Sequence, residues 1–101
     1  MAIAEITIIP LGTGTTSVSE YVARIEQVLA GLEGVSHELT PMSTIIEGPI
    51  DRLFEVIHIL HEVPFEQGVG RVSTSIKIDD RRDKPSSRAQ KLQSVAEKLK
   101  H

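Results

Sequence analysis

Arg71-Val72-Ser73-Thr74-Ser75-Ile76-Lys77-Ile78-Asp79 is the stretch that decides the fold. Val72, Thr74, Ile76 and Ile78 alternate with Ser73, Ser75, Lys77 and Asp79, the period-two pattern of a strand with one apolar face and one small, polar face. Its partners have to come from upstream. Residues 3–9 are rich in Ile and Thr and stop at Pro10-Leu11-Gly12-Thr13-Gly14, which predicts a first strand entering a loop. Ser17 with Glu20 three residues later reads as a capping box. Tyr21, Ile25, Val28, Leu29 and Leu32 then recur at helical spacing until Gly31 and Gly34, predicting an amphipathic helix.

Val35, His37 and Leu39 alternate with Ser36, Glu38 and Thr40, and Ser43 to Gly48 forms a second short β run across Pro41-Met42, so this region reads as a hairpin. Pro49 suits the start of a helix, and Ile50, Leu53, Phe54, Ile57, Leu60 and His61 form one stripe before Pro64 and Gly68 end it. Past the decisive strand, Asp80-Arg81-Arg82-Asp83-Lys84-Pro85 breaks the pattern. Ser86 is then placed to cap a last helix with Leu92, Val95, Ala96 and Leu99 on one side. The order is βαββαβ plus a C-terminal helix: an α+β chain, a ferredoxin-like sandwich of an antiparallel sheet with both main helices on one face. The other face, carrying Ile3 and Ile9 beside Thr7, Ser73 and Ser75, has no cover of its own. Apolar surface of that kind predicts a homo-oligomer.

A length of 101 residues fits one domain, 1–101, large enough to bury a core without staples. Hydrophobic residues at 40% and charged residues at 25% argue against disorder. The absence of cysteine removes disulfides, thiolate ligands and cysteine nucleophiles and favours a cytoplasmic location. The N-terminal residues lack a basic start, and no apolar run approaches the roughly 18 residues a membrane span needs, so neither secretion nor membrane insertion is expected. A net charge of -3 repels phosphodiester backbones, and the aromatics number only Tyr21, Phe54 and Phe65, too few for base stacking on a sheet. Nucleic acid is therefore not an expected partner.

Four groups of residues carry possible chemistry. Gly12-Thr13-Gly14-Thr15-Thr16-Ser17 lies between a strand and a helix, where backbone N–H groups and hydroxyls of Thr13, Thr16 and Ser17 can receive a ligand. It lacks the third glycine of a dinucleotide fingerprint and the lysine of a P-loop. His58, His61 and Glu62 can share one side of the second helix but do not form a metalloprotease motif, and no metal or other cofactor is expected. Asp79 to Lys84 packs three carboxylates and three bases into six residues, readable as a salt-bridged corner or as an intersubunit network. Finally, Glu47 with Ser43 or Thr44 offers an acceptor and hydroxyl donors suited to an aminopyrimidine edge, and the sequence leaves open which hydroxyl faces inward. An equal alternative for Glu47 is a carboxylate serving a helix N-terminus. Nucleophile elbows and paired acid–base carboxylates are missing, so catalysis is not expected.

Ile9-Pro10-Leu11-Gly12-Thr13-Gly14, Leu39-Thr40-Pro41-Met42-Ser43-Thr44-Ile45-Ile46-Glu47-Gly48 and Arg71 to Lys84 together resemble the small thiamine-binding protein family, nearly end to end. The resemblance implies a ferredoxin-like fold, dimers that pair as tetramers, and binding of thiamine or its hydroxymethylpyrimidine moiety without catalysis. It also implies that the Thr40 to Glu47 segment, with Thr40, Met42, Ser43, Thr44 and Glu47, lines the ligand region. Many family members carry glycine and some asparagine where Ser43 stands, which marks Ser43 as the position where this member differs. A thiazolium is cationic and a pyrimidine is a flat polar ring, so a carboxylate, several hydroxyls and apolar walls suit such a ligand. The alternatives are a regulatory or scaffolding homo-oligomer with no small-molecule role, and a small enzyme using Glu47 or Asp79 as a base.

Overall fold

The computed structural model describes residues 1–84 and 87–100. Its elements are β1 (Ala2–Leu11), α1 (Ser19–Ala30), β2 (Ser36–Leu39), β3 (Thr44–Gly48), α2 (Ile50–Glu66), β4 (Arg71–Asp80) and α3 (Arg88–Leu99). The four strands form one antiparallel sheet in the order β2-β3-β1-β4, the ferredoxin-like arrangement with α3 appended. β1 is the central strand and pairs with β4 along its whole length, from Ala2 opposite Asp80 to Leu11 opposite Arg71.

Alternation along the strands divides the sheet into two faces. Ala2, Ala4 and Ile6 of β1 and Ile46 of β3 point toward the helices and are buried. They close on Ile25 and Leu29 of α1 and on Leu53, Val56, Ile57, Leu60 and Val63 of α2, forming one core. Small alanines on the central strand let the helices approach the sheet. Gly48, at the end of β3, meets the chain even more closely: a Cβ there would lie 2.8 Å from the carbonyl oxygen of Gly34, so no side chain fits.

Four local readings are corrected. No Ser17–Glu20 capping box forms: α1 starts at Ser19 behind Val18, which makes no side-chain cap. Ser17 is occupied elsewhere, its N–H donating to Thr15 Oγ1 (3.2 Å) and its hydroxyl lying 3.3 Å from that of Ser19. Phe54 is 54% exposed and does not join the core, because one residue past Leu53 is about 100° further round the helix. Val56 and Val63 take the place expected of it. Pro64 does not stop α2, which runs to Glu66; in the last turn a proline sacrifices one hydrogen bond, and its own carbonyl accepts from Gln67 and Val69. The cap of α3 is Ser87, whose Oγ accepts from the Gln90 N–H at 3.1 Å, while Ser86 lies outside the described residues.

The opposite face of the sheet reads as rows across the strands. Ser36, Glu47, Ile3 and Asp79 form one row; Glu38, Ile45, Glu5 and Lys77 form the next; Thr7 lies beside Ser75 and Ile9 beside Ser73. The first turn of α3 lies over the first row, and Lys91 borders a hollow that extends to Glu5, Ile45 and Lys77 of the second. Arg88 reaches Ser36 Oγ at 3.0 Å and the Glu47 carboxylate at 3.2 Å, and Lys91 pairs with Asp79. No side chain of α3 is buried.

Candidate functional site

The turn between β2 and β3 is built around one hydroxyl. Thr40 Oγ1 accepts from the N–H groups of Ser43 (3.0 Å) and Met42 (3.3 Å), and it lies 2.9 Å from the Ser43 carbonyl and 3.1 Å from the Ser43 hydroxyl. The Thr40 N–H also donates to the Ser43 carbonyl at 2.8 Å, and Thr7 Oγ1 on β1 donates to the Met42 carbonyl at 3.3 Å. A threonine here therefore orders a proline-containing turn that would otherwise leave several backbone groups unpaired. Met42 at its tip is 84% exposed.

After the turn, Thr44 enters β3 on the helix side of the sheet, which settles the register question: Thr44 is buried and directed toward α1. Its hydroxyl donates to Glu26 Oε2 at 3.2 Å. Above this pair runs a groove between α1 and the turn, lined by Ser17, Val18, Ser19, Val22, Ala23, Glu26, Leu39, Thr40 and Pro41. It offers one carboxylate, three hydroxyls and a mostly aliphatic wall. Thr13 and Thr16 line a neighbouring hollow made by residues 9–16, which adjoins the groove at Val18. That loop turns back on itself through Gly12 and Gly14 at φ +73° and +77°.

Glu47 stands apart from this groove, on the opposite face of the sheet. Its side chain is 13% exposed and its two oxygens receive the Arg88 backbone N–H (3.0 Å) and guanidinium (3.2 Å). It is a carboxylate at a helix N-terminus, as one of the sequence readings had it, but the helix is α3 and not α2. The structure thus brings Ser17, Thr40 and Thr44 together around α1, sets Thr13 and Thr16 beside them, and leaves Met42 on the turn tip and Glu47 behind the sheet. Glu26 was missed. Its only sequence signal is its place on α1, one residue after the core residue Ile25 and four after Val22, where a carboxylate borders the apolar stripe.

The remaining groups resolve locally. His58 pairs with Glu62 at 3.5 Å on the surface, while His61 turns inward to Thr74 Oγ1 at 2.6 Å and sits edge-on to Phe65. Among the described residues no three His, Asp or Glu side chains gather to hold a metal. In the acidic–basic corner, Arg81 makes a double contact to Asp83 at 2.6 and 3.0 Å, and Arg82 reaches Asp80 at 2.7 Å. These guanidinium hydrogen bonds hold the carboxyls of Asp80 and Asp83 below the ordinary carboxylate range and raise the two arginines. Each of these two pairs joins residues two apart in sequence and lies within one chain.

Comparison with known proteins fits this geometry. A family model described as thiamine-binding protein matches residues 4–96. The chain belongs to that thiamine-binding protein family. Within it, the UPF0045 protein YqgV of Bacillus subtilis is 50% identical, with 98% of each chain covered. The UPF0045 protein of Methanothermobacter thermautotrophicus is 43% identical over 98% of this chain and 100% of its own. The crystal structure of the hypothetical protein MJ1052 from Methanocaldococcus jannaschii superposes with a TM-score of 0.83 at 35% identity, covering 95% of this chain and 96% of that one. The family's ferredoxin-like fold is therefore the fold of this chain, and among the described residues no helix is long and apolar enough to cross a membrane.

Proposed function

We propose that this protein is a single-domain cytoplasmic binding protein that captures thiamine, or its hydroxymethylpyrimidine moiety, in the groove between α1 and the β2–β3 turn, without chemistry on the ligand. The observation that carries the reading is the Glu26–Thr44 pair at the groove, a carboxylate already oriented by a buried hydroxyl. A fixed carboxylate accepts from the exocyclic amine of a pyrimidine and balances the charge of a thiazolium. Ser17, Ser19 and Thr40 add hydroxyl donors and acceptors, and Val18, Val22, Leu39 and Pro41 offer apolar area to a flat ring. Thr13 and Thr16 serve a substituent that leaves the groove past Val18. Ser43 and Met42 act through the shape of the turn.

Titration calorimetry with thiamine and with hydroxymethylpyrimidine tests this directly. Binding of either supports it, and the absence of heat and of thermal stabilisation with both at millimolar concentration ends it. Glu26→Gln is expected to weaken thiamine at least tenfold and the neutral pyrimidine less, whereas Glu47→Gln leaves both within about twofold. If Glu47→Gln gave the larger loss, the binding site would have to be moved to the open face of the sheet.

We also infer that the protein works as a homo-oligomer, a dimer of dimers, because the open face leaves Ile9 43% exposed beside Thr7 and Ser73. The same face supports the second reading, a scaffolding assembly whose groove is incidental. That reading predicts an oligomer unchanged in stability by either ligand.

A further inference from the structure

We propose that the groove between α1 and the β2–β3 turn takes its ligand as the free alcohol and rejects phosphate esters of it, with Glu26 as the residue that sets the preference. This rests on the binding reading above and adds the chemical form of the ligand. The groove and the hollow beside it are lined by residues 9–19, 22, 23, 26 and 39–41. Among these described residues Glu26 carries the one charge, and there is no lysine, arginine or histidine. Thiamine enters such a site as a cation. Its diphosphate ester is an anion overall, with the negative charge on the arm directed past Val18 into a hollow that holds no base.

Phosphate is recognised by bases and by free N–H and O–H donors. Here the loop turns donors on itself. Thr13 donates its hydroxyl hydrogen to the Thr15 carbonyl at 3.0 Å, and the Ser17 N–H, at the entrance to α1, donates to Thr15 Oγ1 at 3.2 Å. The first turn of α1 carries Glu20, which offsets the pull of that helix end on an anion. Two bases come near, and neither lines the site. Arg24 is exposed and lies about 150° round α1 from the side formed by Ser19, Val22, Ala23 and Glu26. Arg71 stands opposite Leu11 at the end of the β1–β4 pairing, outside the lining of the hollow. Glycine turns such as those at Gly12 and Gly14, both at positive φ, also build anion cradles. Charge decides against that use here: Glu26 is fixed beneath the groove by Thr44, and the chain as a whole carries -3.

The test titrates full-length protein by calorimetry with thiamine and thiamine diphosphate, and with hydroxymethylpyrimidine and its phosphate, in magnesium-free buffer at low salt. In the pair whose alcohol binds, the alcohol is expected to bind at least about tenfold more tightly than the ester, and about 0.5 M salt narrows that gap by screening. Glu26→Gln is expected to narrow it as well, since it takes away the attraction for the alcohol and the repulsion of the ester together. Thr16→Lys, at an exposed loop position, places a base in the hollow and is expected to narrow the gap at least about threefold. Circular dichroism checks that both variants are folded. An ester that binds wild type as tightly as its alcohol overturns this inference and leaves the binding reading in place; loss of that ester binding in Arg71→Ala would then assign the counter-charge to Arg71. A gap that neither variant narrows overturns it too, because charge is then not the cause. Absence of binding by all four compounds removes the binding reading and this inference with it.

Discussion

The two faces of the sheet have the same strands and opposite economies of contact. The helix-covered face presents Ala2, Ala4, Ile6 and Ile46, all nearly inaccessible, to two helices that share one core. The open face presents charges and hydroxyls between isolated aliphatic residues, and its helix is held there by ion pairs to Glu47 and Asp79. Burial on the first face fixes the fold; pairing on the second positions an appendage. Substitutions that act on one face and spare the other test that division.

The largest effect belongs to the covered face. Leu53→Ala removes a side chain with no exposed area and is expected to destabilise the protein by about 2–5 kcal/mol, measured by urea unfolding. Gly48→Ala follows, at roughly 1–3 kcal/mol, since its methyl group meets a backbone carbonyl that cannot rotate away. A methyl group tolerated there would mean that the β3 end and the Gly34 loop can separate freely. Thr44→Val keeps the shape but takes the hydroxyl from Glu26, costing about 1 kcal/mol and weakening thiamine binding with it.

On the open face, Glu47→Gln is expected to leave the urea midpoint nearly unchanged while hydrogen exchange in the first turn of α3 accelerates. A large drop in global stability would show that the two faces are not independent. Smallest is the Asp80–Arg82 pair. Since the folded-state pKa of Asp80 is lowered, its contribution is complete above about pH 3.9 and fades as pH falls through the lower folded value. Arg82→Ala should move the Asp80 titration, followed by NMR, back up toward the ordinary carboxylate range.

Much of the fold was legible because its signals are periodic. The alternation from Arg71 to Asp79 and the helical stripe of α1 each point to one conformation, and their order leaves few topologies. Phe54 and Pro64 were misread for related reasons: a stripe drawn from sequence has no sharp border, and a proline weakens a helix only where its missing hydrogen bond matters. The site was less legible. Thr44 and Ser43 differ by one residue, and which of them faces α1 depends on where the turn hands over to the strand. Glu47 finds its partner 41 residues away on a helix whose docking no local pattern records. Glu26 carried no motif at all, and becomes noticeable only once Thr44 is seen to point at it.

The Thr40 turn bears on how fast the groove proposed above would catch a ligand. Its hydroxyl already satisfies the turn backbone before any ligand arrives, and Thr7 ties the same turn to the central strand. One wall of the groove is therefore set in advance, and association loses little entropy in ordering it. Stopped-flow binding would then show a single phase that stays linear in ligand concentration, with no plateau from a slow closing step.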